Sequence, residues 1–227
     1  MPNQGARAGE NWQAHIDREE RRYRDGESRL PKTSDADARQ RQLTRLGNAA
    51  AGAGLALLMD GRREEAADRL VRAAERYRES FAEAPPGSWG RPIGAMKARL
   101  LAGDWDGAAA DARWALDVGA ARAESPIGRY AAALALLVLG DDDDARIHAD
   151  AIRTRSDFSA DVGDALAFLA ADDVLGYTQA VEGVLESFEI RDEYLEGIPV
   201  ADTVLVLQAL AARRGIAVEL SSPVLPY

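Results

Sequence analysis

Four consecutive aspartates, Asp141 to Asp144, are followed by His148 and Asp150. Asp144 and His148 stand four residues apart, so on a helix they share a face and could offer a carboxylate and an imidazole to a divalent cation. One reading is therefore a metal-dependent enzyme centred on Asp144, His148 and Asp150. The competing reading is helix capping, since a helix start exposes free amides and the positive end of a dipole, both of which attract aspartate. Acids recur at three comparable places, Glu64-Glu65, Asp104 with Asp106, and Asp172-Asp173. A shared structural cause accounts for all four, so neither a metal nor a cofactor is expected. His15 is the only other histidine, and no Ser-His-Asp arrangement emerges from the spacing. Cysteine is absent, which excludes thiol catalysis, disulfides and thiolate metal sites. Asp161 with Asp164, and Glu182 with Glu186 and Glu189, read as solvated helix faces. The expectation is a protein that does not catalyse a reaction.

Tryptophan is the other residue type that could recognise something. Trp105 and Trp114 fall inside predicted helices and read as packing residues. Trp89 lies within Gly87-Ser88-Trp89-Gly90, a breaker-rich loop, and is a candidate exposed anchor for a protein partner.

The elements that would position these groups follow from a phrase that recurs. Leu57 to Ala66, Leu100 to Ala108, Leu136 to Ala145 and, more weakly, Phe168 to Asp173 each read as an apolar helix end, a tight turn and an acidic helix start. Gly61, Gly103 and Gly140 mark the first three turns. One helical hairpin cannot bury its own apolar face, whereas stacked hairpins can. Apolar spacing predicts a first helix over about 10–23, a linker over 25–37, and pairs over about 36–59 with 62–81, 93–102 with 105–118, 127–139 with 142–155, and 159–170 with 174–188. A closing helix is expected over about 200–213. That makes an all-α chain. Residues 1–35 form a polar arm with one helix and a disordered start around Pro2 and Gly5; 36–215 form the helical domain; 216–227 form an extended tail. Ala and Leu dominate a composition that is 47% hydrophobic and 6% aromatic, which favours helix over strand.

These pairs resemble tetratricopeptide-like repeats. Gly61 at the turn, Ala66 in the second helix and Ala73-Ala74 one step further match positions where the family has small residues, which the resemblance implies are close helix crossings. The turn glycines are spaced 42 and 37 residues apart, longer than the family's period of about 34, and Pro85 is the one proline in the family's position after a second helix. The resemblance implies antiparallel hairpins stacked as a right-handed superhelix with a concave face lined by first helices. Over the C-terminal third, Gly197-Ile198-Pro199-Val200-Ala201-Asp202, Ala209 to Gly215 and Ser222-Pro223-Val224-Leu225-Pro226 resemble the immunity protein 49 family of polymorphic toxin systems. That resemblance implies a protein that binds and neutralises a toxin.

The formal net charge is −10, which argues against nucleic acid as a partner. Met1 to Arg45 has no apolar run of the signal-peptide kind, and Ala131 to Leu139 is too short to span a bilayer. A cytoplasmic protein with no membrane partner is expected. Lys32 and Lys97 are the only lysines, and the dominance of arginine reads as genomic base composition. The acids are segregated: Arg39 to Met59 and Arg91 to Ala102 contain none. If first helices line a concave face, Arg45, Lys97, Arg99 and Arg129 would make it mildly basic and suited to an acidic segment of a protein partner. A third reading is a self-associating module, a homodimer through its apolar C-terminal helix.

Overall fold

A computed structural model describes residues 11–226. Among them are ten α-helices and no strand: α1 (Trp12–Arg29), α2 (Ala36–Met59), α3 (Arg63–Phe81), α4 (Gly90–Leu101), α5 (Trp105–Asp117), α6 (Pro126–Leu139), α7 (Asp142–Arg153), α8 (Ala160–Ala170), α9 (Val174–Glu189) and α10 (Asp202–Arg213). The expected disorder of residues 1 to about 8 falls outside the described residues. No described helix is long and apolar enough to cross a membrane.

Of the four acidic helix starts, those at Asp104 and Asp173 supply a side-chain cap, whereas α3, with Arg62 at its cap position, has none. Asp35, Asp104 and Asp173 each accept a backbone N–H at the first turn, from Ala38, Gly107 and Gly176. Asp141 occupies the cap position of α7 without a side-chain capping bond. At the turns Gly103 has φ +74° and Gly140 φ +84°, the left-handed conformation that glycine adopts without a Cβ penalty. In the fourth copy the same conformation falls on Asp172, at φ +54°.

One expectation needs correction. The first helix does not stop near Tyr23 but runs to Arg29, and the predicted linker shrinks to a short 3-10 turn over Leu30–Lys32. Gly26 is a point of close approach, not a breaker. A Cβ there would lie 2.7 Å from Gln42 Nε2 and 2.9 Å from Leu46 Cδ2, so any larger residue would have to push those side-chain ends aside for α1 to lie so close to α2. After α10 the described part of the tail is neither helix nor strand, and Val224 and Leu225 are buried, with the Ala201 N–H donating to the Val224 carbonyl at 2.9 Å.

Each helix from α1 to α9 packs on its neighbour in sequence, and α4 also touches α6, which touches α8. Two apolar clusters result. One gathers Ile16, Leu46, Leu57, Leu70 and Tyr77 from α1 to α3. The other gathers Met96, Leu134, Leu166, Val184 and Leu207 from α4 to α10. After α9 the chain turns back. Residues 190–201 bring Ile198 and Val200 into the first cluster, and α10 then packs against α4, α8 and α9. The apolar residues of α10, Val204, Leu207 and Leu210, are buried in the second cluster, within the chain itself.

Candidate functional site

The segment between α3 and α4 is built by its breakers. Pro85, Pro86 and Gly87 cannot continue α3; the Ser88 hydroxyl donates to the Pro85 carbonyl at 2.6 Å and the Trp89 N–H to the Gly87 carbonyl at 2.7 Å. This tight loop makes Trp89 the cap residue of α4. Its indole is half-buried, 6.4 Å from the Phe81 ring, so Trp89 is a braced rim residue and not a free-standing anchor. Below it opens a cavity of about 380 Å3 between α2, α3 and α4.

Tyr77 forms one wall. Its ring is wedged between two glycines: a Cβ on Gly47 would come within 2.8 Å of it and one on Gly94 within 2.9 Å. The Tyr77 hydroxyl donates to Asn48 Oδ1 at 2.9 Å, and burial, with Glu196 and Asp202 nearby, raises its pKa. The floor is apolar, from Ala51, Leu55, Leu70, Ile93 and Leu101.

Two cations reach the cavity in different states. The Lys97 ammonium lies 2.5 Å from an Asp202 carboxylate oxygen and donates to the Thr203 hydroxyl at 3.0 Å. Burial opposes its charge, yet Asp202 outweighs that and raises the pKa. Among the described residues Arg91 has no carboxylate partner. Its Nε donates to Ser80 Oγ at 3.0 Å and Nη2 to Gln40 Oε1, and burial, the sole influence on it, lowers its pKa.

The other basic residues expected in one groove are not brought together. Arg99 turns toward α5, 2.6 Å from Asp104 and 3.5 Å from the buried Asp111. Arg129 lies near His148 on α7, where burial, then the Arg129 charge, lowers the His148 pKa against the pull of Asp144. Arg45 lines a separate cleft between α1 and α2 with Arg22 and Arg29. The physical reason is spacing: Lys97 and Arg99 are two residues apart on α4, which puts them on opposite sides of a helix. Of the five residues singled out for a partner, Trp89 and Lys97 line this cavity and the other three do not.

An acidic segment does cross the first helices, and it belongs to the chain itself. Glu196, held at φ +55°, pairs with Arg22 and accepts from Asn48 Nδ2 at 2.9 Å. Arg22 and Arg18 each lie 2.7 Å from the fully buried Glu19. Asp202, which follows this segment, supplies the acid at Lys97 in the same way. Nothing at sequence level ties Glu196 to α1 and α2, and Arg91 stood among three basic residues with no sign of which would be left without an acid.

The Asp144, His148 and Asp150 cluster does not close into a ligand set. Asp150 lies 3.2 Å from Arg153 and 3.6 Å from Arg146, and Asp142 pairs with Arg214. Among the described residues no three His, Asp or Glu side chains converge as metal ligands. Trp105 and Trp114 are packing residues, covered by Arg213 at 4.5 Å and Arg78 at 4.8 Å, with Phe81 edge-on to Trp114 at 5.2 Å.

Comparison of the chain with protein-family models, with curated proteins and with solved structures finds no match.

Proposed function

We propose that this chain is a non-catalytic, protein-binding helical scaffold of the tetratricopeptide-like kind, and that its recognition site is the cavity beneath Trp89. One observation carries the reading: Arg91 lines an accessible, apolar-floored cavity as a cation without a carboxylate, while the other charged groups near it are spent on internal pairs. An unmatched guanidinium beside a braced tryptophan suits recognition of an acidic group, because Trp and Arg are the residue types that most often dominate an interface. The side-by-side contacts of α4 with α6 and α6 with α8 support the repeat-like arrangement. The C-terminal resemblance gives the reading its specific form, an immunity-type inhibitor whose partner is a toxin.

The test is co-expression with the proteins encoded beside its gene, followed by size-exclusion chromatography and titration. A complex weakened about tenfold or more by Trp89→Ala and by Arg91→Ala, with both variants folded by circular dichroism, supports the reading. A complex indifferent to both substitutions places recognition elsewhere on the molecule.

A further inference from the structure

The cavity is larger and more apolar than a single acidic side chain needs. Its volume of about 380 Å3 falls within the range of roughly 300–1,000 Å3 that encloses whole small ligands. Past Arg91 its lining is mainly apolar, Leu55, Leu70, Ala98 and Leu101, with Thr44 and Asn48 among the polar exceptions, which rewards an apolar body and penalises a second charge. The charged groups on its lining are Arg91, Lys97 and Asp202, two cations and one anion, which leaves one positive charge in excess. That charge resides on Arg91, because Lys97 is already against Asp202. A guanidinium has five N–H donors, and the internal bonds of Arg91 to Ser80 and Gln40 use Nε and Nη2, so donors remain for one carboxylate.

The mouth adds a direction. Trp89 and Ile127 both line it, and Ile127 is 41% exposed. A small free acid would end inside the cavity and leave this apolar rim bare, whereas a polypeptide leading outward would lie against it.

From this excess charge, apolar floor and rim, we infer that the cavity takes the C-terminal residue of a partner polypeptide. Its terminal carboxylate meets Arg91, its large apolar side chain covers the floor, and the preceding residues pass over Trp89 and Ile127. The inference rests on the cavity being the recognition site, and it narrows the ligand from an acidic segment to one terminal carboxylate. A run of acids fits poorly, since Asp202 and the floor oppose every charge after the first.

The experiment uses the full chain and fluorescein-labelled hexapeptides of Gly, Ser and Ala that end in Leu or Phe, each prepared as free acid and as C-terminal amide, with binding read by anisotropy. The free acids bind, and the amides bind at least tenfold more weakly. Arg91→Gln, verified as folded by circular dichroism, lowers the acid to the level of the amide. Ile127→Ser, an exposed change that leaves the floor intact, weakens both forms. Equal binding of acid and amide, or an acid-to-amide ratio that survives Arg91→Gln, overturns the inference. So does displacement of the peptide by 4-methylpentanoate or 3-phenylpropionate at equal concentration, which identifies a free acid as the occupant. If no peptide binds while the co-expressed complex still depends on Trp89, the terminal-carboxylate inference fails and the scaffold reading stands.

Discussion

Lys97 on α4 and Asp202 at the start of α10 lie 2.5 Å apart, and this contact fastens the returning C-terminal helix to the middle of the molecule. Both side chains are mostly shielded, at 15% and 20% exposure. Removing one partner of such a pair strands the other, so Lys97→Met or Asp202→Leu alone should cost about 2–4 kcal/mol. The double variant Lys97→Met with Asp202→Leu should recover much of that loss. Urea denaturation of the four proteins reads the coupling; additive losses would deny it. The pH dependence has a definite sign. The folded pKa of Lys97 is raised above its ordinary value of 10.5, so its stabilisation is complete below that value and fades as pH rises through the folded pKa. The stability gap between wild type and Lys97→Met should therefore narrow as the pH rises above 10.5.

Turn geometry makes a second, paired prediction. Gly103 and Gly140 have positive φ, and a Cβ added at either would meet nothing within 4 Å, so substitution there meets backbone strain without a clash. Gly103→Val and Gly140→Val should each destabilise by about 1–2 kcal/mol. Asp172 adopts the same conformation with a side chain, so Asp172→Gly should be neutral or stabilising by up to about 1 kcal/mol. Thermal melts that moved all three in the same direction would contradict the shared turn.

Tyr77 and its flanking glycines make a third. Gly47→Ala places a methyl 2.8 Å from the ring, and overpacking of this kind costs about 1–3 kcal/mol. In a Tyr77→Leu background the same change should cost much less, a coupling that a double-mutant cycle detects.

His148 carries a fourth. Its pKa is lowered, by burial first and Arg129 second, so the neutral ring is the folded form. Stability from this site is present above its ordinary pKa of 6.5 and falls as pH drops through the lower folded value. His148→Gln should flatten the acid limb between about pH 7 and pH 5 in chemical denaturation. Adding zinc or magnesium should leave the melting temperature of wild type unchanged, since a bound ion would raise it.

Helix identity was legible because local signals agreed. Ser125-Pro126 opens α6, Asp104 and Asp173 cap their helices, and apolar spacing marks the buried faces of α3 and α6. What escaped was non-local. Gly26 reads locally as a breaker, and only the position of Leu46 makes it a crossing point. Lys97 was expected to meet an acid, but sequence spacing could not say that the acid is Asp202 of the same chain. Arg91 was indistinguishable from its basic neighbours until Arg99 was seen to be paired by Asp104 and Lys97 by Asp202. Charge segregation along a sequence records which helices lack acids; it does not record which acids return from elsewhere.

The fold-back segment has a further consequence. In an open helical array each unit touches only its neighbours, so the ends fray and unfolding can proceed piecewise. Here Ile198 and Val200 from the C-terminal third are buried at 1% and 3% exposure among residues of α1 to α3. Neither end can unravel without opening the other, so the chain should melt in one cooperative step. It should also fold more slowly than a linear array of the same length, because that closure joins residues far apart in sequence.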